Sequence, residues 1–313
     1  MKSFFKQDAE SLKKLSGKKF LITGGNGMLG GSFINQLTKN VANVKVYSFN
    51  KKTLDVSNEE SVNKHLDIKP DYIIHCAALV NADECEKNNE YGKKVIVDGT
   101  KNILNYAKKS NSKIFYPQSF LIYNDVNDII DEDTNPIPLS KYGEFKLEAE
   151  NLIMQSPIEY LSVCMGGFFG GYQNDNNFVG KIIPYISNLI KKKKKSIEIG
   201  NRIWQPSYTE DLAYNSLILL SNSKNGKYCM ASHGSCSFFE LTKKILQILN
   251  IKKLIEVISV DANILAQKEV AARPLSAIMT NYKLFNEGLD RQKKWEVSLE
   301  DYLDTQYFRN LFK

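Results

Sequence analysis

The sequence predicts an α/β protein built on a Rossmann-type doubly wound parallel sheet, with a smaller C-terminal lobe. Three observations support this fold class. Apolar runs typical of buried strands alternate with segments of helical spacing through the first half of the chain. A glycine-rich stretch ends the first of these strands and opens a helix. Beyond about residue 170 the alternation loosens, which indicates a second lobe.

The strands and helices of the first half can be assigned in order. The predicted strands are KKFLITGG, NVKVYSF, DYIIHCAA, KIFYPQS and EYLSVCMGG. The predicted helices are MLGGSFINQLTKN, SNEESVNKHL, EYGKKVIVDGTKNILNYAKKS and SKYGEFKLEAENLIMQ. Ser57 is the expected N-cap of the second helix, with Glu60 at the capping-box position. Because such crossovers are right-handed, the strands should run parallel with helices on both faces.

The second half is predicted to contain four helices and three short strands. The helical segments are FVGKIIPYISNLIKKKK, TEDLAYNSLILLSN, SFFELTKKILQIL and SLEDYLDTQYFRNLF, and the strands are SIEIG, GKYCMAS and LIEVIS. We therefore expect a helical extension over residues 1–17 and a Rossmann domain over 18–170. Residues 171–313 should form mainly a substrate-binding lobe, with some segments returning to the Rossmann core.

The composition narrows the class of protein. The chain has 313 residues, of which 42% are apolar and 25% charged, as in ordinary globular proteins. No apolar run reaches the roughly 20 residues of a membrane span, and the first residues do not read as a secretory signal. The five cysteines lack metal-type CxxC spacing, which favours reduced thiols and a cytoplasmic location. The three histidines show no ligand spacing, so we expect no metal site.

The net charge of +7 requires nucleic-acid binding to be considered. Its most obvious source is the run Lys191–Lys195, which follows an apolar helical stretch. Lysines there suit a helix C-terminus and a solvated face, and no aromatic ribbon or zinc pattern accompanies them. We therefore expect neither a nucleic-acid nor a membrane partner, although the lysines could help to attract an anionic substrate.

The first strand leads into TGGNGMLGG, in which Gly24, Gly27 and Gly30 recur at every third position. Gly24 allows a tight turn, Gly27 lets the backbone approach a pyrophosphate, and Gly30 lets the following helix pack close to the sheet. The helix beginning near Met28 would point its free N–H groups at that phosphate. A sterically required turn would show the same glycines, but the strand–loop–helix context favours an NAD(P)-binding domain.

The end of the second strand bears on the choice of cofactor. An acidic residue there would hydrogen-bond the ribose 2′-hydroxyl of NAD and repel the 2′-phosphate of NADP. This chain instead has Asn50, Lys51 and Lys52, and nothing is acidic before Asp55. The pattern favours NADP and leaves NAD open.

A serine, a tyrosine and a lysine form the candidate catalytic group. Ser119 ends the KIFYPQS strand, where ligands bind in open parallel sheets. Tyr142 and Lys146 lie one turn apart on the next helix. Ser119 would hydrogen-bond a substrate carbonyl, Tyr142 would give it a proton, and Lys146 would lower the pKa of Tyr142. An exposed helix pair is the simpler interpretation of the tyrosine and lysine alone, but the glycine loop and the serine favour catalysis.

These motifs resemble the extended branch of the short-chain dehydrogenase/reductase superfamily. The stretches LDVSNEESVNKHLDIKPDYIIHCAALVNADECE, YGEFKLEAE, NNFVGKII, PSYTEDLA and ARPLSAIMTNYKL are similar to successive segments of dTDP-4-dehydrorhamnose reductase and its relatives. The likeness covers nearly the whole chain after residue 18 and implies reduction of a 4-keto group on a nucleotide-linked deoxysugar.

The resemblance also implies roles for individual residues. Those expected around the cofactor, besides Tyr142, Lys146, Asn50 and Lys51, are Thr23, Gly24, Gly25, Asn26, Gly27, Met28, Leu29 and Gly30 at the pyrophosphate, Asp55 and Val56 near the adenine, and Cys76, Ala77 and Ala78 along the cofactor. Those expected around the substrate are Leu79, Phe120, Gly167, Asn177, Phe178 and Arg273. A guanidinium fork such as that of Arg273 also suits a diphosphate chemically.

Three departures from the family pattern fall in the sugar pocket. The family usually has Arg-Thr-Ser-Trp-Val-Tyr-Gly after the catalytic helix, whereas this chain has CMGGFFG, so Cys164 replaces the arginine and Gly167 the tryptophan. Phe120-Leu121 stands in place of Asp-Tyr, and Leu79-Val80 in place of Tyr-Thr. We expect an aromatic wall to be lost, apolar bulk to be gained, and the sugar or the position of reduction to differ.

Two alternatives remain open at this point. One is a nucleotide-sugar epimerase of the same superfamily, which would hold NAD tightly and return the hydride. The other is a non-catalytic regulatory subunit that binds cofactor and a partner enzyme, although retention of Ser119, Tyr142 and Lys146 argues against it. The expected partners are a nucleotide-sugar substrate and, at most, a second copy of the chain in a homodimer.

Overall fold

The structure is a computed structural model that describes residues 2–125 and 129–312. The strands are β1 (Lys19–Thr23), β2 (Lys45–Phe49), β3 (Tyr72–His75), β4 (Lys113–Ser119), β5 (Tyr160–Met165), β6 (Phe168–Phe169), β7 (Ser196–Gly200), β8 (Ile203–Trp204), β9 (Ser207–Tyr208), β10 (Gly226–Met230), β11 (Cys236–Ser237) and β12 (Glu256–Val260). The α-helices are α1 (Lys2–Leu12), α2 (Met28–Asn40), α3 (Glu59–Asn63), α4 (Ala82–Lys87), α5 (Asn89–Lys93), α6 (Gly99–Ser110), α7 (Lys141–Met154), α8 (Phe178–Lys191), α9 (Thr209–Ser221), α10 (Phe238–Ile248), α11 (Ala262–Ala266), α12 (Tyr282–Asn286), α13 (Trp295–Leu303) and α14 (Gln306–Asn310).

The main sheet has six strands in the order β10–β5–β4–β3–β1–β2. Every neighbouring pair runs parallel, so the predicted Rossmann-type sheet is confirmed. The strand order reverses at β1, because β2 lies on one side of it and β3 on the other. A crevice for a ligand is expected at the carboxyl ends of strands around such a reversal.

Strand β1 shows why this sheet is covered on both faces. Phe20, Leu21 and Ile22 have no exposed surface. Successive side chains of a strand point to opposite faces. Accordingly, Phe20 and Ile22 belong to a hydrophobic cluster that includes residues of α2 and α9, while Leu21 belongs to a cluster with residues of α6 and α7. An uninterrupted apolar run is therefore what a central parallel strand requires.

Two elements from the second half of the chain join this core. Strand β10 is the sixth strand of the main sheet, and helix α9 packs against α2. The Ser32 hydroxyl donates to the Thr209 hydroxyl at 2.9 Å across that helix pair. Helices α8, α10 and α13 instead contribute to a separate hydrophobic cluster, beside the parallel pair β7–β12. The domain boundary at residue 170 stays a prediction.

The expected capping box at Ser57 is wrong, because the structure begins α3 one residue later. Asn58 is the N-cap, and its side chain accepts the N–H of Ser61 at 3.0 Å. The Ser57 backbone N–H and hydroxyl both donate to the Asp55 carboxylate, at 3.0 and 2.8 Å. Since the Ser57 hydroxyl is engaged in that turn, the asparagine takes over the cap.

Helix α6 is also shorter than the apolar periodicity predicted. The expected long helix is divided into α5, a π-helical stretch at Lys94–Asp98, and α6. Over residues 2–125 and 129–312, no helix combines the length and apolar character that crossing a bilayer requires. Within the same residues, no group of three or more His, Cys, Asp or Glu side chains is placed to hold a metal ion.

Candidate active site

The carboxyl ends of β1, β3, β4 and β5 bring most of the expected site residues to one edge of the sheet. Thr23 pairs with His75 at the ends of β1 and β3. Ser119 pairs with Met165 at the ends of β4 and β5. The glycine loop, the Cys76–Ala78 loop, the candidate catalytic serine and the Gly166–Gly167 segment therefore follow neighbouring strands.

The glycine loop is packed so closely that side chains do not fit at two of its positions. Gly24 has φ +67°, and a Cβ there would lie 2.9 Å from the backbone nitrogen of Ala77. A Cβ on Gly30 would lie 2.4 Å from the carbonyl oxygen of Gly24. Gly27 is the N-cap of α2 and supplies no capping side chain, so the first N–H groups of the helix can meet an anion. Residues 23–30 thus form a backbone cradle suited to a pyrophosphate.

A buried histidine, which the sequence did not single out, holds this cradle to the sheet. The Ala77 N–H donates to the Thr23 hydroxyl at 3.1 Å, and that hydroxyl lies 2.9 Å from Nδ1 of His75. Nε2 of His75 lies 3.2 Å from the Thr100 hydroxyl, which donates its own proton to the Ile96 carbonyl at 2.7 Å. Thr100 therefore accepts from Nε2–H, and Thr23 donates to Nδ1. Burial is the main cause that lowers the pKa of His75 to about 3, so the ring is neutral.

This arrangement changes the expected role of Thr23. Thr23 was expected at the pyrophosphate with the rest of the loop, but only 1% of the residue is exposed and its hydroxyl is engaged within the protein. Thr23 thus holds the loop that contains Ala77 to the end of β1. The half-buried Ala78 continues the loop that Ala77 anchors.

The residues expected near the adenine end lie beyond β2. The exposed Lys51 donates to the Tyr91 hydroxyl at 2.5 Å, which raises the lysine's pKa. The Asn50 side chain accepts from the N–H of Lys52 at 2.9 Å and shapes the turn. Val56 is buried, with 3% exposure, while the Asp55 carboxylate is hydrogen-bonded to Ser57. Lys51 and Lys52 are both exposed, so they carry the accessible positive charge of this turn.

The candidate proton donor and the candidate serine are in contact. Tyr142 lies in the first turn of α7 and is only 8% exposed. Burial raises the pKa of Tyr142 to about 12, and a side-chain hydrogen bond with Ser119 acts in the opposite direction. The Ser119 hydroxyl also accepts the Leu121 N–H at 3.2 Å, which fixes its position at the end of β4.

The expectation that Lys146 lowers the pKa of Tyr142 is wrong for this structure, in which burial dominates. Lys146 is itself buried, with 4% exposure, and desolvation lowers its pKa to about 7. Its ammonium group lies 3.8 Å from the centre of the Tyr116 ring. Burial also raises the pKa of the Cys76 thiol to about 12, and Lys146 opposes that shift. Lys146 therefore lies near the loop of residues 76–78. Its contact with the cofactor stays a prediction.

Glu150 is a further member of this group that the sequence interpretation missed. It lies one turn beyond Lys146 on α7 and is only 1% exposed. The Ser162 hydroxyl donates to its carboxylate at 2.5 Å. Its charge raises the pKa of Lys146 against the effect of burial. The spacing Tyr142, Lys146, Glu150 along one helix face was the signal that could have revealed it.

The structure places an aromatic ring beside Gly167. Gly167 was expected to remove an aromatic wall, but the indole of Trp204 occupies the space above it. A Cβ on Gly167 would lie 1.5 Å from Nε1 of Trp204. Phe178 is part of the same aromatic group, with its ring centre 6.4 Å from that of Trp204. Phe120 packs against the cluster to which Trp204 belongs.

Three other expected substrate residues are held by contacts within the chain. Asn177 donates through Nδ2 to the Phe168 carbonyl at 2.7 Å. The carbonyl oxygen of the half-buried Leu79 accepts a hydrogen bond from the Cys85 thiol at 3.5 Å. Arg273 is hydrogen-bonded to Asp83 at 2.9 Å.

Arg273 also belongs to a wider ion-pair cluster. It lies 3.6 Å from Glu269, which forms a bidentate pair with Arg202 at 2.7 and 2.9 Å. Asp83 lies on α4, the helix that follows β3 in the chain, so this hydrogen bond ties Arg273 to α4. A role of Arg273 at a diphosphate stays a prediction.

A protein-family model and a known protein each match most of this chain. The family model described as the RmlD substrate binding domain matches residues 18–308. The spore coat polysaccharide biosynthesis protein SpsK of Bacillus subtilis (strain 168) is 25% identical over 91% of this chain and 96% of its own length.

Solved structures share the fold over nearly the same extent. A dTDP-4-dehydrorhamnose reductase from Clostridium acetobutylicum ATCC 824 has a TM-score of 0.82 and 28% identity, covering 91% of this chain and 98% of its own. The dTDP-4-dehydrorhamnose reductase from Bacillus anthracis str. Ames, solved in complex with NADP, has a TM-score of 0.80 and 27% identity, with the same coverage of 91% and 98%.

Proposed function

The chain belongs to the RmlD substrate binding domain family, and we propose that it is an NAD(P)H-dependent oxidoreductase that reduces a keto group on a nucleotide-linked deoxysugar. The observation that carries this proposal is the meeting of β4 and α7 at the edge of the sheet. Ser119 ends β4, Tyr142 lies in the first turn of α7, and the buried Lys146 one turn later is bonded to Pro117 of β4. The backbone cradle of residues 23–30 fits a dinucleotide pyrophosphate beside them.

The chemistry follows from the protonation states of these groups. When bound, the reduced nicotinamide supplies the hydride. Tyr142 remains protonated at neutral pH because its pKa is about 12, so it can give a proton to the sugar oxygen. Ser119 is placed to hydrogen-bond the same oxygen. The ammonium group of Lys146 is a donor for the ribose that carries the nicotinamide.

We propose NADP as the preferred cofactor. Lys51 places an accessible positive charge at the end of β2, where the 2′-phosphate of NADP would lie. The Asp55 carboxylate, the first acidic group after β2, is occupied by Ser57 rather than directed to a ribose. The relative from Bacillus anthracis str. Ames, which is 27% identical, was solved with NADP.

The proposed substrate class is a nucleoside diphosphate linked to a keto-deoxyhexose. Arg273 supplies a guanidinium group for the diphosphate, in exchange for one of the carboxylates that now hold it. Phe178 and its aromatic neighbours offer faces for a sugar or a base. Since the five cysteines are free thiols, we place the reaction in the cytoplasm.

A substrate screen tests the proposal directly. The purified protein is mixed with NADPH and thymidine- or uridine-diphosphate-linked 4-keto-6-deoxyhexoses, and the NADPH absorbance is followed while the products are identified. We expect one NADP⁺ for each reduced sugar. Turnover of the sugar without net oxidation would instead indicate an epimerase, and saturable cofactor binding without any turnover would indicate a regulatory subunit.

A further inference from the structure

Trp204 lies directly over Gly167, although the two residues come from different elements. An ideal Cβ on Gly167 would lie 1.5 Å from Nε1, 2.2 Å from Cε2 and 2.7 Å from Cδ1 of Trp204. Any larger residue at position 167 would therefore displace the indole. The glycine and the tryptophan fill one space together, with the aromatic ring supplied by β8 rather than by the segment after β5.

This space adjoins the candidate catalytic group. Strand β5 ends at Met165, which pairs with Ser119, and Gly167 is the second residue after that pair. The Ser207 N–H donates to the Gly167 carbonyl at 2.9 Å, which fixes the segment carrying Trp204 beside the end of β5. Trp204 is thus brought to the sheet edge at which a sugar carbonyl would meet Ser119.

Aromatic rings hold the indole in this position. The ring centre of Phe238 lies 5.0 Å from that of Trp204, and the ring centre of Phe178 lies 4.4 Å from that of Phe238. The Phe178 and Trp204 rings meet edge to face, at 78°. Such contacts fix a ring more firmly than a single apolar neighbour would. The orientation of the indole is therefore set before a ligand arrives.

The indole N–H is available to a ligand. Within the described part of the chain it has no acceptor, yet its nitrogen is not among the fully buried polar atoms that lack a partner. Trp204 as a whole is 7% exposed, so a small part of the ring borders solvent. An indole N–H in this situation can donate to a hydroxyl group of a bound molecule.

From this geometry we infer that Trp204 is a specificity-determining residue that forms the wall of the sugar subsite. The inference rests on the proposed function and adds to it the group that the hexose ring contacts. The part of the ring that borders solvent would contact the hexose, and its N–H would donate to a hydroxyl of that sugar. Gly167 is the complementary feature, since it leaves room for the ring.

Kinetics of matched variants give the first test. We expect Trp204→Leu to raise KM for the keto sugar at least tenfold, to leave KM for NADPH within about twofold, and to reduce kcat less than it raises KM. Trp204→Phe keeps an aromatic ring but loses the N–H donor, so it should restore only part of the affinity. Trp295→Phe is the control, because it makes the same Trp→Phe change at another buried position, of 6% exposure. An unchanged sugar KM in Trp204→Leu would overturn the inference.

Fluorescence gives a second test that needs no turnover. The chain has two tryptophans, so in the Trp295→Phe background the signal reports Trp204 alone. Titration with thymidine- or uridine-diphosphate glucose should change that signal saturably, and no change with either ligand would overturn the inference. A saturable change in a protein that oxidises no NADPH with any keto sugar would refute the proposed reduction and leave the role of Trp204 standing.

A substitution at Gly167, the other residue of the contact with Trp204, gives a third test. Gly167→Ala should raise the sugar KM about as much as Trp204→Leu, because the new methyl group would displace the indole. If Gly167→Ala fails to fold, the Trp204 variants still decide the question. A folded Gly167→Ala protein with an unchanged sugar KM would count against the inference.

Discussion

The ammonium group of Lys146 donates a 2.7 Å hydrogen bond to the carbonyl oxygen of Pro117, and this bond ties helix α7 to strand β4. The backbone carbonyl of Lys146 in turn accepts from Gln118 at 3.1 Å and from the Tyr116 hydroxyl at 3.4 Å. The lysine is thus fixed at both ends by consecutive residues of one strand. Because Tyr142 lies one turn earlier on the same helix, its position relative to the end of β4 is fixed as well.

Replacing the candidate proton donor should separate catalysis from binding. We expect Tyr142→Phe to lower kcat at least 100-fold, since general acid catalysis contributes roughly that much or more. The dissociation constant for NADPH should stay within about threefold, because the ring is retained. Tyr185→Phe is the matched control, as Tyr185 is 54% exposed on α8. Activity that survives Tyr142→Phe would show that another group is the acid.

The charge of Glu150 should set the alkaline limit of activity. In the proposed reaction Lys146 acts in its ammonium form. Its pKa is about 7, because burial lowers it and Glu150 raises it. kcat/KM should therefore fall as the pH rises through this region. Glu150→Gln removes the charge that raises the pKa of Lys146. The alkaline limb of the kcat/KM profile should therefore move to lower pH by about one unit.

Glu148→Gln is the control for this profile, because it makes the same change at a half-exposed side chain of the same helix. A limb that stays in place in Glu150→Gln, or that moves to higher pH, would contradict the assigned role of Glu150.

The buried His75 should make the fold sensitive to acid. Its pKa is about 3 in the folded chain and about 6.5 in an unfolded one, so the unfolded state binds the extra proton between these values. The free energy of unfolding should fall by about 1.4 kcal/mol for each pH unit below 6.5 from this group alone. His75→Asn should flatten that dependence, at a cost of about 1–2 kcal/mol at pH 7.

Denaturant unfolding at pH 7 and at pH 4.5 measures this difference. His65→Asn provides the comparison, since the His65 ring is partly exposed. Equal acid sensitivity of the wild type and His75→Asn would refute the prediction.

The charge at Lys51 should determine the preference between cofactors. Lys51→Glu places a negative charge where the 2′-phosphate is expected, so KM for NADPH should rise about tenfold, which corresponds to about 1.4 kcal/mol. KM for NADH should change by less than about twofold. Lys39→Glu, in the last turn of α2, controls for the change in net charge. Equal changes for the two cofactors would argue against Lys51 as the phosphate contact.

Two adjacent glycines of α2 allow a matched test of the cradle. A methyl group on Gly30 would lie 2.4 Å from the Gly24 carbonyl oxygen, whereas one on Gly31 meets nothing closer than 3.8 Å. We expect Gly30→Ala to cost about 1–3 kcal/mol and to weaken NADPH binding more than tenfold. Gly31→Ala should be neutral or stabilising by up to about 1 kcal/mol. Thermal unfolding and cofactor titration check both, and similar behaviour of the two variants would contradict the packing described.

The parallel sheet and the grouping of Ser119, Tyr142 and Lys146 were accessible from the sequence because local patterns encode them. Uninterrupted apolar runs predict central strands, and the edge of the sheet then fixes where Ser119 lies. The spacing of Tyr142 and Lys146 places both on one helix face without further information. The N-cap of α3 was missed by one residue, because Ser57 and Asn58 are both good capping residues and only the Asp55 contact separates them.

The contacts that sequence reasoning missed are those between distant segments. Nothing local indicates that Trp204 would fill the space above Gly167, since helix α8 and strand β7 separate them in the chain. Likewise, the tautomer of His75 depends on Thr100, which reaches it from α6. The pKa of Tyr142 was misjudged for a related reason. The lysine was visible in the sequence, whereas the degree of burial was not.

The proton donor, the lysine and the glutamate all project from α7, while the indole over Gly167 comes from β8. Under the proposed roles, acid strength and the choice of sugar therefore depend on separate stretches of polypeptide. Exchange of the segment around β8 could redirect such an enzyme to a new carbohydrate and leave its acid–base group untouched, so diversification of the substrate need not begin with a loss of rate.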